Sequence, residues 1–401
     1  MSSVSDTNIL SIPAKRRSRV DSAVEGEVLV RQVKNQPTTQ TKARLDQQLV
    51  IMTVFLVLFG WVAVYSASAH QAAYETGNSV AIVLKQIVFT LIGFGGMWAA
   101  SKFHYKNWAK LSLPFAAVAI GLLFLTLATG KIVNGSERWL TLPGGIQFQP
   151  SEIAKLSAIV LLAQAVSQRR LFSGTLFFNL ALVGGMIMLI YSQPNLSVSM
   201  ILGILTLVML FVGGLPTWIF GVTLPVMGMV LFQKIQNTPY QWRRITGWLD
   251  PWADPQDSGY NLIQSYYAIG SGGIFGSGLG NSIQKLFYLP FQHTDFIFAV
   301  ICEELGLIGA VILIGLFLSV AYRGFKISMR SDSDFGRMLA FGITSALLLQ
   351  AFINICVTIG LMPVTGITLP LISYGGTSVV VTLTMIGVLL NVSRYRRKVP
   401  A

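Results

Sequence analysis

The stretch QLVIMTVFLVLFGWVAVYSAS, residues 48–68, decides the fold class of this chain, because it carries no charged side chain over its whole length. A helix needs about 20 apolar residues to cross the hydrocarbon core of a bilayer. Inside a bilayer, a helix satisfies its own backbone hydrogen bonds without water. Residues 48–68 are therefore predicted to span a membrane.

The rest of the chain extends this prediction. Of its 401 residues, 53% are hydrophobic and 11% are charged, whereas soluble domains are about 25% charged. Similar apolar segments predict an all-α polytopic membrane protein with about ten transmembrane helices and a large extracytoplasmic loop between helices 7 and 8. The ten candidate segments are residues 48–68, 79–101, 109–129, 152–168, 174–191, 195–213, 215–233, 297–321, 337–360 and 371–392.

The positions of the Lys and Arg residues predict the orientation in the membrane. With the N-terminus inside, 21 of the 29 Lys and Arg residues lie in cytoplasmic segments, six lie outside and two lie within spans. Cytoplasmic segments of membrane proteins are enriched in these residues, so both termini are predicted to be cytoplasmic. The net charge of +13 then reflects topology and attraction to anionic lipid rather than nucleic-acid binding.

Three domains are expected along the chain. Residues 1–46 are predicted to be a disordered basic cytoplasmic arm, residues 47–393 a ten-helix membrane domain, and residues 394–401 a basic cytoplasmic tail. The arm has no short apolar core followed by a cleavage site, so we do not expect it to be a signal peptide. Two external loops, 130–151 and 234–296, are candidates for function, and the second is longer than a connection requires.

The predicted topology brings ionisable residues from distant parts of the sequence to the outer side. Asp295 stands at the outer mouth of the eighth span. Ionisable residues within reach of the membrane interior are costly and often functional, although an Asp at a helix start can also be a simple N-cap. The other candidates on that side are Glu152, Lys155, Arg138, Arg243, Arg244, Lys85, His293 and Ser373.

Several of these candidates have a structural alternative. Glu152 and Lys155 are three residues apart and are expected to pair on one helical face, either for packing or to hold a cation near a phosphate. Glu303 shares a helical face with Asp295 and either extends a polar stripe or is a buried structural partner. Lys85 could simply extend its ammonium to the interface, and His293 could be an ordinary solvated loop histidine.

The glycine-rich run GSGGIFGSGLG, residues 270–280, does not match the nucleotide-binding spacing GxGxxG and lacks a strand–helix context. Close backbone packing or a bent loop is the better interpretation. The two cysteines and three histidines form no metal-binding pattern.

Four long motifs are similar to those of the FtsW/RodA family, also called SEDS proteins, over about residues 48–398. They are NGSERWLTLPGGIQFQPSEIAKLS (134–157), DPWADPQDSGYNLIQSYYAIGSGGIFGSGLGNSIQKLFYLP (250–290), HTDFIFAVICEELGLIGA (293–310) and PVTGITLPLISYGGTS (363–378). The segment NSIQKLFYLP resembles the division branch (FtsW) more than the RodA-like elongation branch, which remains the alternative.

This resemblance implies a peptidoglycan glycosyltransferase that polymerises lipid II at the outer face of the bacterial plasma membrane, together with a class B penicillin-binding protein and other division proteins. The family's essential aspartate falls on Asp295, its outer-loop arginine on Arg138, and its fourth-span pair on Glu152 and Lys155. Two positions depart from the family pattern: Phe291 replaces a Glu, and Asn195 replaces an acidic residue.

The chemistry implied by the resemblance needs a single base. A sugar α-linked to diphosphate becomes β-1,4-linked in one inverting displacement, in which the acceptor hydroxyl loses a proton. Arg138, Lys155 and Arg243 or Arg244 are expected to stabilise the charge of the leaving diphosphate. A divalent cation such as Mg²⁺ or Mn²⁺ could share that task. The alternatives from other functional classes are a lipid II transporter and a non-catalytic scaffold of the division machinery.

Overall fold

The computed structural model of the chain describes residues 44–129, 131–133, 136–142, 146–168, 173–286 and 288–396. Most of the predicted arm and the end of the predicted tail lie outside these residues, so the domain boundaries remain predictions. The helices are α1 (Gln47–Thr76), α2 (Ala81–Lys102), α3 (Tyr105–Lys110), α4 (Ser112–Thr129), α5 (Pro150–Ser167), α6 (Gly174–Ser192), α7 (Leu196–Val212), α8 (Thr217–Asn237), α9 (Pro239–Leu249), α10 (Tyr260–Gly272), α11 (Ile297–Arg330), α12 (Asp334–Thr358) and α13 (Gly376–Ser393).

The membrane fold is confirmed, while the count of ten spans stays a prediction. Within the described residues, eight helices are long and apolar enough to cross a membrane. The predicted fourth and sixth spans are also helices, α5 and α7, but they fall outside that group. Helix α7 has 17 residues, and α5 carries two charged side chains, Glu152 and Lys155.

Helices α5 and α13 form the centre of the bundle, because nearly every residue of each is buried. Helix α13 packs closely on α2 through glycines. A Cβ atom on Gly387 would lie 2.3 Å from the carbonyl oxygen of Met97, and one on Gly93 would lie 2.6 Å from Leu383. Small residues allow such close backbone approach between membrane helices. The charged pair of α5 is thus carried by a central helix.

A small sheet occupies the segment that the sequence predicted only as a loop between the third and fourth spans. Its strands are β1 (Lys131–Val133), β2 (Ser136–Leu142) and β3 (Ile146–Phe148), which pair antiparallel in the order β1-β2-β3. Leu140 of β2 is buried, and side chains two residues apart on a strand share a face. Arg138 therefore points to the same side of the sheet as buried Leu140.

The long loop between the predicted seventh and eighth spans is partly helical, which the sequence analysis did not predict. Helix α8 continues to Asn237, and α9, a short 3₁₀ turn at Pro251–Ala253 and α10 follow it. The segment between Gly273 and Phe296, which contains most of the glycine-rich run and the HTD motif, connects α10 to α11 with no helix among its described residues.

Candidate functional site

Helix α11 is broken near its start, and the glycine-rich run packs into the break. Gly306 has φ 64° and ψ −165° inside the helix. The backbone N–H of Ser277 donates to the carbonyl of Glu303 at 2.9 Å, and the N–H of Leu307 donates to the carbonyl of Gly273 at 2.9 Å. A Cβ atom on Gly276 would lie 2.2 Å from the carbonyl oxygen of Glu304. The interpretation of this run as a bent, closely packed loop is therefore confirmed.

Glu303 is a buried structural partner rather than part of a stripe continuing from Asp295. Its carboxylate accepts hydrogen bonds from the Ser282 hydroxyl and from the backbone N–H groups of Ile283, at 2.7 Å, and Gln284, at 3.4 Å. These bonds hold the turn after the glycine-rich run against α11. Of the two alternatives for Glu303, the structural one is thus favoured by its contacts.

Glu304 pairs with a lysine that sequence reasoning did not single out. The Lys285 ammonium lies 3.1 Å from the Glu304 carboxylate, and both side chains are only 4% exposed. Lys285 also donates to the carbonyl of Gly280 at 2.6 Å, and Glu304 accepts from the Ser66 hydroxyl at 2.5 Å. The network joins the long loop, α11 and α1. No sequence signal marks it, because its members are far apart along the chain.

Asp295 precedes α11 and does not cap it. The cap residue is Phe296, which makes no side-chain capping bond. The backbone of Asp295 is held instead by Asn354 of α12, whose amide nitrogen donates at 2.7 Å to the carbonyls of both Asp295 and Ile367. The Ser373 hydroxyl donates at 2.6 Å to the carbonyl of Thr294. The predicted supporting role of Ser373 thus has a direct contact with the HTD motif.

Asp295 is half-buried. Among the described residues, no donor forms a hydrogen bond with its carboxylate and no cation pairs with it within 4 Å. Burial raises the pKa of Asp295 to about 6, against the opposing effect of the guanidinium groups of Arg244 and Arg138. A carboxyl group with a raised pKa and no fixed donor is available to take up a proton from a bound molecule.

Arg138 and Arg244 approach Asp295 from different elements. Arg138 of β2 donates to the carbonyl of Pro194, and Arg244 of α9 donates at 3.0 Å to the carbonyl of Val364. Burial lowers the pKa of Arg138, and the nearby charge of Arg244 acts in the same direction. Two guanidinium groups close enough to repel each other favour an anion between them.

The predicted Glu152–Lys155 pair is present and buried in α5. Its charged atoms lie 2.9 Å apart. The Lys155 ammonium also donates to Gln350 at 2.7 Å, and Gln350 donates at 3.0 Å to the carbonyl of Thr368. Through Gln350, the pair is therefore connected to the 363–378 segment. This connection favours a packing role for the pair over the holding of a cation near a phosphate. One oxygen of Glu152 is buried and has no partner among the described residues.

Asn354 and Gln350 were missed by the sequence analysis, although a signal existed. They lie four residues apart on one face of the apolar helix α12. Polar residues inside a membrane helix usually face the protein interior and mark constrained positions. Gln86 of α2 is a third example, because it is buried and bonds both the Ser373 carbonyl at 3.1 Å and the Gly375 N–H at 3.2 Å.

The remaining candidates lie at the edge of the site or away from it. Arg243 forms an exposed ion pair with Asp257 at 3.3 Å, and Lys85 is exposed on α2. Burial lowers the pKa of His293 to about 4, with Glu75 acting in the opposite direction. His293 is therefore neutral near pH 7, and its ring lies 5.6 Å from that of Tyr374.

The two positions at which the sequence departs from the pattern of the family it resembles, Phe291 and Asn195, both lie in the described part of the chain. Phe291 adopts a left-handed backbone, with φ 56°, which is unfavourable for a bulky residue. Asn195 caps α7, since its side-chain oxygen accepts from the N–H of Val198 at 3.5 Å. A neutral amide thus performs the capping that an acidic side chain could also perform.

The residues around Asp295 do not form a metal centre of protein ligands. Within the described residues, no group of three or more His, Cys, Asp or Glu side chains gathers in one place. The charged neighbours of Asp295 are arginines, which are hydrogen-bond donors and not metal ligands. The arrangement fits a base beside an anion-binding pair of guanidinium groups.

Sequence comparison finds curated relatives that match about 90% of this chain. The chain is 38% identical over 364 residues to the "Probable peptidoglycan glycosyltransferase FtsW" of Geobacter sulfurreducens, which covers 89% of this chain and 97% of that protein. It is 40% identical over 366 residues to "Stage V sporulation protein E" of Bacillus subtilis, covering 90% and 100% of the two chains.

Solved structures agree with these relatives. A chain from a study described as "Structural coordination of polymerization and crosslinking by a peptidoglycan synthase complex" superposes with a TM-score of 0.73 at 31% identity, covering 88% of this chain and 98% of that one. Thermus thermophilus RodA superposes with a TM-score of 0.67 at 28% identity, covering 88% and 98%. Residues 47–398 match the family model FTSW_RODA_SPOVE, described as "Cell cycle protein". This chain therefore belongs to the FtsW/RodA/SpoVE family, as its sequence motifs predicted.

Proposed function

We propose that this chain is a peptidoglycan glycosyltransferase of cell division that polymerises lipid II into β-1,4-linked glycan strands. The name and the 38% identity of the Geobacter relative support the activity. The distribution of Lys and Arg supports a multi-pass protein of the bacterial plasma membrane with cytoplasmic termini and an external site. The division septum is its proposed location.

The observation that carries this proposal is the environment of the Asp295 carboxylate. Asp295 is half-buried, and its carboxylate has no hydrogen-bond donor among the described residues and lies near Arg138 and Arg244. In the proposed reaction, the acceptor hydroxyl oxygen attacks the anomeric carbon of the donor sugar. The bond from that carbon to the diphosphate breaks, and Asp295 takes the hydroxyl proton.

The leaving diphosphate needs positive charge rather than an acid. It departs with the bonding electron pair as a stable anion, so no proton donor is required. Arg138 and Arg244 stabilise the charge that develops on it, as fixed donors do for other reaction anions. The His293 imidazole adds no positive charge there, because its pKa of about 4 keeps it neutral.

The proposed partner is a class B penicillin-binding protein, which crosslinks the strands. The synthase complex in which polymerisation and crosslinking are coordinated supports this assignment, because its chain superposes on this one with a TM-score of 0.73. The other division proteins of the septum are proposed to join the same assembly.

The test is a polymerisation assay with purified protein and lipid II, with and without the penicillin-binding protein. Asp295→Asn should bind lipid II and produce no glycan strands. Asp257→Asn is the matched control, because it makes the same chemical change at an exposed position of the same long loop. Unchanged synthesis by Asp295→Asn would disprove its role, and lipid II movement across vesicles without polymer would favour a transporter.

A further inference from the structure

A cavity of about 300 Å³ lies where three distant parts of the chain meet. Its walls include Arg44 before α1, Arg323 of α11 and Arg396 after α13. The two ends of the described chain are joined here, since the backbone N–H of Asp46 donates to the Ser393 hydroxyl at 3.3 Å. None of these groups takes part in the proposed reaction.

The cavity carries more positive than negative charge. Three guanidinium groups line it, and Asp46 is the one carboxylate among the lining residues. One oxygen of Asp46 accepts from Arg323 at 2.5 Å, and the other caps α1 by accepting from the N–H of Leu49 at 3.1 Å. Within the described residues, no carboxylate pairs with Arg44 or Arg396.

One donor in the cavity wall has no acceptor. The Nε–H group of Arg323 is buried and unpartnered among the described residues. A buried donor without an acceptor is costly, so an oxyanion that reached it would be bound favourably. Arg396 also lines the cavity, where its Nε–H donates to the Ser393 carbonyl at 2.9 Å and its terminal nitrogens form no hydrogen bond with the described residues.

The position of the cavity indicates the source of the oxyanion. Helix α12 connects the two levels without a break. Its Asn354, which bonds the carbonyl of Asp295, lies 20 residues after its first residue, Asp334, which is about 30 Å along the helix. Just before that first residue, the N–H of Asp332 donates to the carbonyl of Tyr395, the neighbour of Arg396. The hydrocarbon core of a bilayer is about 30 Å thick, so the cavity lies at the level of the headgroups opposite Asp295.

We propose that this cavity binds the phosphate of an anionic phospholipid headgroup in the leaflet opposite the Asp295 site. The shared chemistry of possible ligands is a phosphate oxyanion, which arginine recognises through paired donors. The bound headgroup would link the start of α1, the end of α11 and the segment after α13. Anionic lipid in the cytoplasmic leaflet would then stabilise the contact between the first and last described segments of the bundle.

The test measures lipid binding to the purified full chain in a neutral detergent. Native mass spectrometry counts retained lipid, and thermal unfolding measures stabilisation by phosphatidylglycerol, phosphatidylcholine or inorganic phosphate. Phosphatidylglycerol should be retained and should raise the Tm, while phosphatidylcholine should not. The Arg44→Gln/Arg396→Gln variant should bind phosphatidylglycerol roughly thirtyfold more weakly.

The control is Arg330→Gln, which removes one charge from an exposed position at the end of the same helix. It should keep the wild-type preference for phosphatidylglycerol. Equal binding by the double variant and the wild type would overturn the site. If inorganic phosphate at the same concentration protects the protein as well as phosphatidylglycerol does, the lipid identity is overturned. Both variants leave the Arg323–Asp46 pair intact, so a loss of binding does not require misfolding.

Discussion

The first turns of α11 have carboxylates at both ends, and their surroundings are opposite. Glu303 and Glu304 are buried, and each is held by at least two donors from the long loop or from α1. Asp295, just before the helix, is partly exposed and has no donor among the described residues. The same type of side chain thus anchors the segment at one end and stays available for chemistry at the other.

Hydrogen bonding, rather than position along the sequence, therefore distinguishes the acidic side chains that stabilise the fold from the one proposed to react. A buried carboxylate is stable only if its oxygens are satisfied. A carboxylate that acts as a base must exchange a proton with a bound molecule, so saturating donors would work against it. The hydrogen bonds of Glu303 and Glu304 hold α11 against the loop that ends in Asp295. They therefore help to position Asp295 without contacting it.

The largest expected effect is the loss of activity in Asp295→Asn. Removing a general base typically costs a factor of about 10²–10⁴ in rate, and the product should fall by at least that factor. The folded protein should remain intact, because the Asp295 carboxylate makes no hydrogen bond that the amide would lose. Polymer yield should therefore fall while the Tm in detergent stays close to that of the wild type. A large drop in Tm would show that the Asp295 carboxylate has a structural role.

Substitution in the buried Lys285–Glu304 pair should mainly lower stability, in contrast to Asp295→Asn, which should mainly lower activity. Lys285→Met leaves the Glu304 carboxylate buried without its cation, which typically costs about 3–5 kcal/mol. Thermal unfolding should detect this loss of stability. The double variant Lys285→Met/Glu304→Leu removes both charges and should recover much of it. If the double variant is less stable than the wild type by the sum of the losses in Lys285→Met and Glu304→Leu, the pair is not a coupled unit.

Sequence reasoning located the acids but not all of their partners, for a physical reason. The Glu152–Lys155 pair was predictable, because three residues on one helix fix its geometry. The Lys285–Ser66 contact joins residues 219 positions apart, and no periodicity encodes such a distance. The spans were predictable from hydropathy alone, whereas the break at Gly306 depends on how the loop packs against it.

The pH dependence of activity sharpens the comparison. Burial raises the pKa of Asp295 to about 6, and the ionised form is the proposed base. Activity should rise through pH 6 and reach a plateau above it, so that at pH 5 it is roughly tenfold lower. A profile of initial rates between pH 5 and 8 would measure this, and a midpoint near pH 4 would contradict the assigned environment.

The same shift has a defined effect on stability. Because the folded pKa of Asp295 exceeds that of an unfolded Asp, the folded state holds this proton more tightly. The stability from this group is full below about pH 4 and falls as the pH rises through 6. Asp295→Asn removes that fall. The Tm of the variant relative to the wild type should therefore increase from pH 5 to pH 7.

The smallest expected effect comes from Arg243, and its neighbour Arg244 provides the contrast. The Arg243–Asp257 pair is exposed, with 70% and 67% of the two side chains accessible, and exposed pairs contribute at most about 1 kcal/mol. Arg243→Gln should therefore change kcat/KM by less than about fivefold. Arg244→Gln removes a guanidinium whose charge reaches Asp295, and loss of one such donor typically costs about 10²–10³ in rate. Equal losses of kcat/KM in the two variants would mean that both arginines contact the diphosphate. Exposure would then fail to distinguish functional from structural arginines, whereas hydrogen bonding distinguishes the acidic side chains.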